Sequence, residues 1–169
     1  MYLRKNSSEG RNKVIHITIP GMGNYIIEHL ILDLNGTISL DGRIIRGVKE
    51  KLEKLSHKLD ITVVTADSNK NAARLLGDLP VAIFIIKETQ ENEQKLGVVL
   101  EKGKNRTVCI GNGRNDVSML RESAIGICVV GREGASPETM AASNVVVPTI
   151  NDALDLLLKT HRLRASLRR

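Results

Sequence analysis

The segment Asp33-Leu34-Asn35-Gly36-Thr37 follows directly on the apolar run at 26–32. A carboxylate at the end of a buried strand, with Gly-Thr behind it, belongs at the mouth of an open α/β sheet, where such sheets bind ligands. Two more segments have the same character. Val63-Val64-Thr65-Ala66-Asp67 ends a strand in a hydroxyl residue, and Gly111-Asn112-Gly113-Arg114-Asn115-Asp116 follows the apolar stretch 107–110. Lys95 lies between these two. One such turn says little; three in this order, with a lysine between the second and third, form a constellation.

The rest of the chain supplies the alternation that a parallel sheet requires. Residues 14–19 alternate and read as a strand, 20–24 as a turn and 25–32 as a second strand. Asp41-Gly42, flanked by Leu40 and Ile44, signals a tight hairpin projecting beside Asp33. Val48, Leu52, Leu55 and Leu59 recur at helical spacing. Strands are expected at 61–64, 81–86, 106–110, 125–130 and 145–147. Helices are expected at 69–77, 91–102, 115–123, 137–142 and from 150 to about 167, with a break near Thr160. The pattern predicts a doubly wound parallel sheet with helices on both faces. Gly21 and Gly23 do not form a dinucleotide loop, because a strand follows them instead of a helix.

Composition narrows the class. The chain has 169 residues, enough for one domain with its own core. Aromatic residues make up only 2%. The core is therefore built from Ile, Leu and Val, which suits strands buried on both faces. Cys109 and Cys128 sit in apolar runs without metal or redox spacing and read as buried thiols. The net charge of +6 is concentrated at the ends: residues 1–13 carry +3, residues 159–169 carry +5, and the remainder carries −2. The chain divides into a polar basic tail at 1–13, a single domain at 14–158 and a basic helix end at 159–169. No aromatic residue interleaves the arginines, which argues against nucleic acid as a partner. No run approaches the roughly twenty apolar residues of a membrane span. The N-terminus has no apolar signal core, so a cytoplasmic location is expected.

The motif set resembles the haloacid dehalogenase superfamily, and within it the phosphorylation domain of P-type ATPases. There the pattern reads D-K-T-G-T, T-G-D, a lysine, then G-D-G-x-N-D followed by an apolar helix and a v-G-I-a strand. Here it reads D-L-N-G-T, T-A-D, Lys95 and G-N-G-R-N-D, then Met119-Leu120 and Ile125-Gly126-Ile127. The likeness spans about 26–158 and is closest to the small soluble P-type-ATPase-like proteins of that superfamily. Only 27 residues separate Thr37 from Thr65 and 29 separate Thr65 from Lys95, which leaves no room for a nucleotide-binding domain or a large cap.

The resemblance implies a Mg²⁺-dependent phosphohydrolase acting on a small phosphorylated substrate, with Asp33 as nucleophile and the backbone carbonyl of Asn35 as a metal ligand. Gly36 turns the backbone away from the phosphate, and Thr37 orients the loop. Thr65 and the N–H of Ala66 hold phosphate oxygens. Asp67 either assists there or caps the next helix. Lys95 neutralises the nucleophile and the phosphate, with Lys87 at a strand end as the competitor. Asn112 and Asp116 hold Mg²⁺ directly or through water. Small capless members commonly assemble as homo-oligomers, and that is expected here. Two positions depart from the superfamily pattern. Asn35 replaces the general acid of the phosphatases, and an amide cannot shuttle a proton. Asn112 replaces a metal-binding Asp. The expectation is slow turnover; the alternative is a degenerate domain that binds phosphate or a phosphometabolite in a regulatory role.

Overall fold

The computed structural model describes residues 1–4, 13–66, 69–77 and 79–169. Its strands are β1 (Tyr2–Arg4), β2 (Ile15–Ile19), β3 (Gly23–Ile27), β4 (His29–Asp33), β5 (Ser39–Leu40), β6 (Arg43–Ile44), β7 (Asp60–Thr65), β8 (Ala82–Ile85), β9 (Thr107–Gly111), β10 (Ile125–Val129) and β11 (Val145–Val147). Its helices are α1 (Val48–Ser56), α2 (Asn69–Leu76), α3 (Glu91–Lys102), α4 (Val117–Glu122), α5 (Pro137–Ala142), α6 (Ile150–Leu158) and α7 (Thr160–Leu167). The central sheet runs β1-β8-β7-β4-β9-β10-β11, all parallel except β1 at the edge.

Strand periodicity divides the core between the two faces. In β4, Leu30 and Leu32 join one apolar cluster and Ile31 the other; in β9, Val108 and Ile110 oppose Cys109 in the same way. Successive side chains leave opposite faces of a strand, so strands apolar throughout must be covered on both sides. The larger cluster takes Val48, Leu52 and Leu55 of α1, the apolar face of α6 and Leu163 of α7. The smaller takes Val98 and Val99 of α3 with Met119 and Leu120 of α4. A fully buried side chain of this kind contributes about 1.5–3 kcal/mol relative to exposure. Cys109 and Cys128 are both free and buried, and desolvation pushes both thiols upward, Cys128 to about 11.

The strand order reverses at β4. After β4 the chain builds β7 and β8 on one side, then crosses to build β9, β10 and β11 on the other. The crevice between β4 and β9, at their carboxyl ends, is the topological switch point. The β5–β6 hairpin forms as expected on Asp41-Gly42, both residues at positive φ, as a two-residue turn of that twist requires. No large cap stands over the sheet among the described residues.

Two expectations change. The strand foreseen at 25–32 is two strands: β3 pairs with β2 in a separate hairpin, and β4 enters the main sheet. Glu28 marks the transfer, its N–H bonded to the Arg106 carbonyl and its own carbonyl to the Asp60 N–H. Nor is 1–13 wholly a tail, since β1 pairs antiparallel with β8. The basic helix end packs back onto the domain. The helix does break near Thr160, but α7 continues, buries Leu163 and returns the Arg169 N–H to the Pro20 carbonyl.

The v-G-I element has a packing cause. A Cβ on Gly126 would stand 2.3 Å from the Leu120 carbonyl oxygen. Helix α4 therefore lies directly against β10 only because that position has no side chain. Gly126→Ala should cost about 1–3 kcal/mol by overpacking. Chemical denaturation measures it, and an unchanged midpoint would mean that α4 can withdraw freely.

Candidate active site

Lys95 is the largest fully buried side chain in the described protein. On α3 it shares a face with Val98 and Val99, three and four residues on, and these anchor the helix in the smaller core cluster. The ammonium lies between the end of β4 and the loop after β9. Its Nζ donates to Asp33 Oδ1 at 2.7 Å and to Asp116 Oδ1 at 2.6 Å, with 1% of the side chain exposed. Burial alone would lower the lysine's proton affinity, but the two carboxylates outweigh it and the net shift is upward. Lys87, the competitor, lies exposed at the surface.

Asp116 is fully buried. Its Oδ1 accepts from Lys95, and its Oδ2 accepts the backbone N–H groups of Asn112 and Gly113, each at 3.0 Å. The carboxylate thus folds back under its own loop, beneath Gly111, where a Cβ would meet Oδ2 at 2.4 Å. Burial, then the charge of Asp33, push the Asp116 carboxyl up to about 6, against the pull of Lys95. This differs from the arrangement expected of a direct metal ligand, because both oxygens are taken by protein donors.

A cavity of about 290 Å³ opens above the lysine, lined by Asp33, Asn35, Thr65, Ala66, Lys95 and Asn112 among the expected residues. The ends of β4, β7 and β9 and the buried face of α3 therefore converge as the motif order suggested. Gly36 and Thr37 line a neighbouring cavity of about 490 Å³ beneath the hairpin. The Thr37 hydroxyl is buried and donates to Asn112 Oδ1 at 3.1 Å, so this residue fixes the amide. The Asn35 side chain accepts from the Ser39 hydroxyl of the hairpin at 3.3 Å. Asp67 lies outside the described residues.

Glu91, Gly113, Asn115 and Glu133 also line the cavity and were not singled out from the sequence for that role. Glu91 could have been found, since it precedes Lys95 by one helical turn. Glu133 follows β10 in Gly131-Arg132-Glu133-Gly134, and only its position after a strand end hints at the site.

No family model matches the chain. Solved structures define the class of fold. The chain superposes on 3-deoxy-D-manno-octulosonate 8-phosphate phosphatase of Moraxella catarrhalis, a complex with magnesium, phosphate and the sugar acid, with TM-score 0.62 and 20% identity over 83% of this chain and 90% of that one. It superposes on the cobalt-bound phosphatase of Haemophilus influenzae with TM-score 0.67 and 15% identity over 80% and 90%. The putative phosphatase of Vibrio cholerae gives TM-score 0.65 and 14% identity over 93% and 99%. The fold matches the Rossmann-like core of these phosphatases. At the level of sequence, the chain belongs with two proteins of Methanocaldococcus jannaschii named as uncharacterized proteins MJ0073 and MJ0072. It is 48% identical to the first over 68 residues, 40% of this chain and 73% of that one, and 46% identical to the second over 41 residues, 24% and 93%.

The lysine bridge yields a stability test. With Lys95→Met, two buried carboxylates lose their shared cation, a change that costs about 3–5 kcal/mol. Asp116, already held above the usual carboxylate range by burial and by Asp33, then loses the lysine's opposing pull, so its folded-state pKa lies further above its unfolded one. Such a group destabilises the fold above its unfolded pKa, and stability returns as pH falls through the raised value. Urea titrations at neutral and mildly acidic pH should show the variant's deficit shrinking on acidification. A deficit that is small at neutral pH, or independent of pH, contradicts the bridge.

Proposed function

We propose that this protein is a Mg²⁺-dependent phosphohydrolase working through an aspartyl-phosphate on Asp33, a soluble counterpart of the P-type ATPase phosphorylation domain. The observation that carries the reading is the Lys95 bridge to Asp33 inside a cavity that also contains Thr65 and Asn112. The superposed phosphatases support it, one of them determined with magnesium and phosphate.

The residues suit a hard cation. Among the described residues no group of three His, Cys, Asp or Glu side chains forms a metal cage. Mg²⁺ does not need one, since it keeps several waters and takes only one or two carboxylates. Asp33 Oδ1 is engaged by Lys95, while Oδ2 accepts no protein hydrogen bond among the described residues. Asp33, the Asn35 carbonyl and Asn112 would hold the ion, with Asp116 fixing the loop behind it. Bound there, Mg²⁺ would neutralise phosphate charge and orient the phosphoryl group.

The remaining chemistry falls to the chain's own groups. An Asp33 oxygen attacks phosphorus, the P–O bond to the leaving group breaks, and the phosphoryl group stays on Asp33. Lys95, Thr65 and the Ala66 N–H offset the charge on its oxygens. Asn35 cannot protonate the leaving oxygen or activate the water that later releases phosphate, so both proton transfers fall to solvent and the intermediate breaks down slowly. The substrate is a small phosphate ester or anhydride, and a second copy of the chain would close the open mouth of the site. With two free, buried thiols the protein suits a reducing cytoplasm. The same Asn35 favours a second reading, a phosphate-binding regulatory module without turnover.

A generic phosphate ester and a metabolite panel, assayed with and without Mg²⁺, test the first reading. Asp33→Ala should abolish all Mg²⁺-dependent release of phosphate. A wild-type rate equal to that of Asp33→Ala would leave the regulatory module in place of the enzyme.

Asn35→Asp should raise turnover about 10²-fold, the lower end of what a positioned acid–base group contributes. Decay of the labelled phospho-enzyme in single turnover measures this directly. Rates within about twofold of wild type would show that proton transfer at this position does not limit the reaction.

A further inference from the structure

We infer that Glu133 supplies the second carboxylate of the cation site, in place of the one absent at position 112; the inference rests on the Mg²⁺ reading above. Three observations carry it. Glu133 lines the same cavity as Asp33 and Asn112, on the loop after β10. Its Oε2 and the Asn112 side-chain amide converge on one face of Gly36, where an added Cβ would meet Oε2 at 2.5 Å and Asn112 Nδ2 at 2.7 Å. And the Glu133 carboxylate is solvent-exposed, with no ion pair or hydrogen bond among the described residues.

The residues around it account for the exchange. Asn112 Nδ2 donates to the Gly134 carbonyl at 3.2 Å, holding the loop on which Glu133 stands. An aspartate at 112 could not make that bond, and it would set a carboxylate against a carbonyl oxygen and against Glu133. An amide at 112 with an acid at 133 keeps one negative charge on that side of Gly36 and avoids the repulsion. Gly36, at φ +75°, adopts a backbone conformation that side chains disfavour, and its bare Cα admits both groups. Lys95 is already committed to Asp33 and Asp116. An unpartnered acid at the mouth of a cavity that contains another carboxylate favours a divalent cation, and Mg²⁺ takes one or two carboxylates with its waters.

Titration calorimetry with Mg²⁺ on phosphate-free protein tests this without any assay of activity. Glu133→Gln should weaken Mg²⁺ binding about tenfold or more, while the melting temperature without Mg²⁺ stays at the wild-type value, because the exposed carboxylate makes no contact to lose. Asn112→Asp added to Glu133→Gln returns a carboxylate to the same side and should recover part of the affinity. Asp33→Asn separates the two levels of argument. If it abolishes Mg²⁺ binding while Glu133→Gln binds as wild type does, Glu133 is no ligand and the Mg²⁺ reading stands. If wild type itself takes up no Mg²⁺, that reading fails and the inference falls with it. Loss of activity in Glu133→Gln at unchanged Mg²⁺ affinity also overturns the inference.

Discussion

The structure turns on one ammonium group. Lys95 is desolvated by the α3 packing that carries it, and its charge is tolerable there only because Asp33 and Asp116 accept hydrogen bonds from its ammonium. A buried ion pair adds little net stability, but removing one member strands the others. The bridge therefore acts as a constraint more than as a source of stability. It ties α3, the end of β4 and the loop after β9 to one geometry, and any displacement of one element exposes a charge on another. Asp116 tightens the constraint by accepting two backbone N–H groups of its own loop.

Reversal of strand order at β4 places that bridge at a crevice rather than inside a sheet. There the backbone must approach side chains closely, and glycines permit it. At Gly111 the space of a side chain is taken by the Asp116 carboxylate, and at Gly36 by Asn112 and Glu133. The glycines of the two motifs are thus steric partners of the acidic and amide groups beside them, not merely turn formers.

The same crowding bears on the two amides that stand where acids are expected. Each replacement removes a negative charge from a small space already holding Asp33 and Asp116 against a single lysine. Asn112 uses its added N–H groups to bind the Gly134 carbonyl, which a carboxylate could not do. Asn35 instead faces the hairpin, accepting from Ser39. One amide thus secures a loop bearing another acid, and the other joins the nucleophile's turn to the flap. They need not share a consequence for catalysis.

Elements whose cause is local were legible in the sequence. Helix α3 begins and ends at the expected residues because its apolar spacing is local and Gly103 follows its last residue, and the Asp41-Gly42 turn needs only its two dihedral angles. The ends of β4, β7 and β9 were legible too, since strands apolar throughout followed by glycine or hydroxyl residues have few other uses. Lys95 and Lys87 competed as the cation of the site, and burial separated them. Tertiary structure alone decided what depends on distant chain segments. The break at Glu28 follows from carbonyl and N–H partners near residues 60 and 106, and the docking of α7 from its contact with β2. The inward turn of Asp116 and the approach of Glu133 to Asn112 belong to the same class. Periodicity reports which face of an element is buried; it carries no information about which loop, many residues away, completes the site.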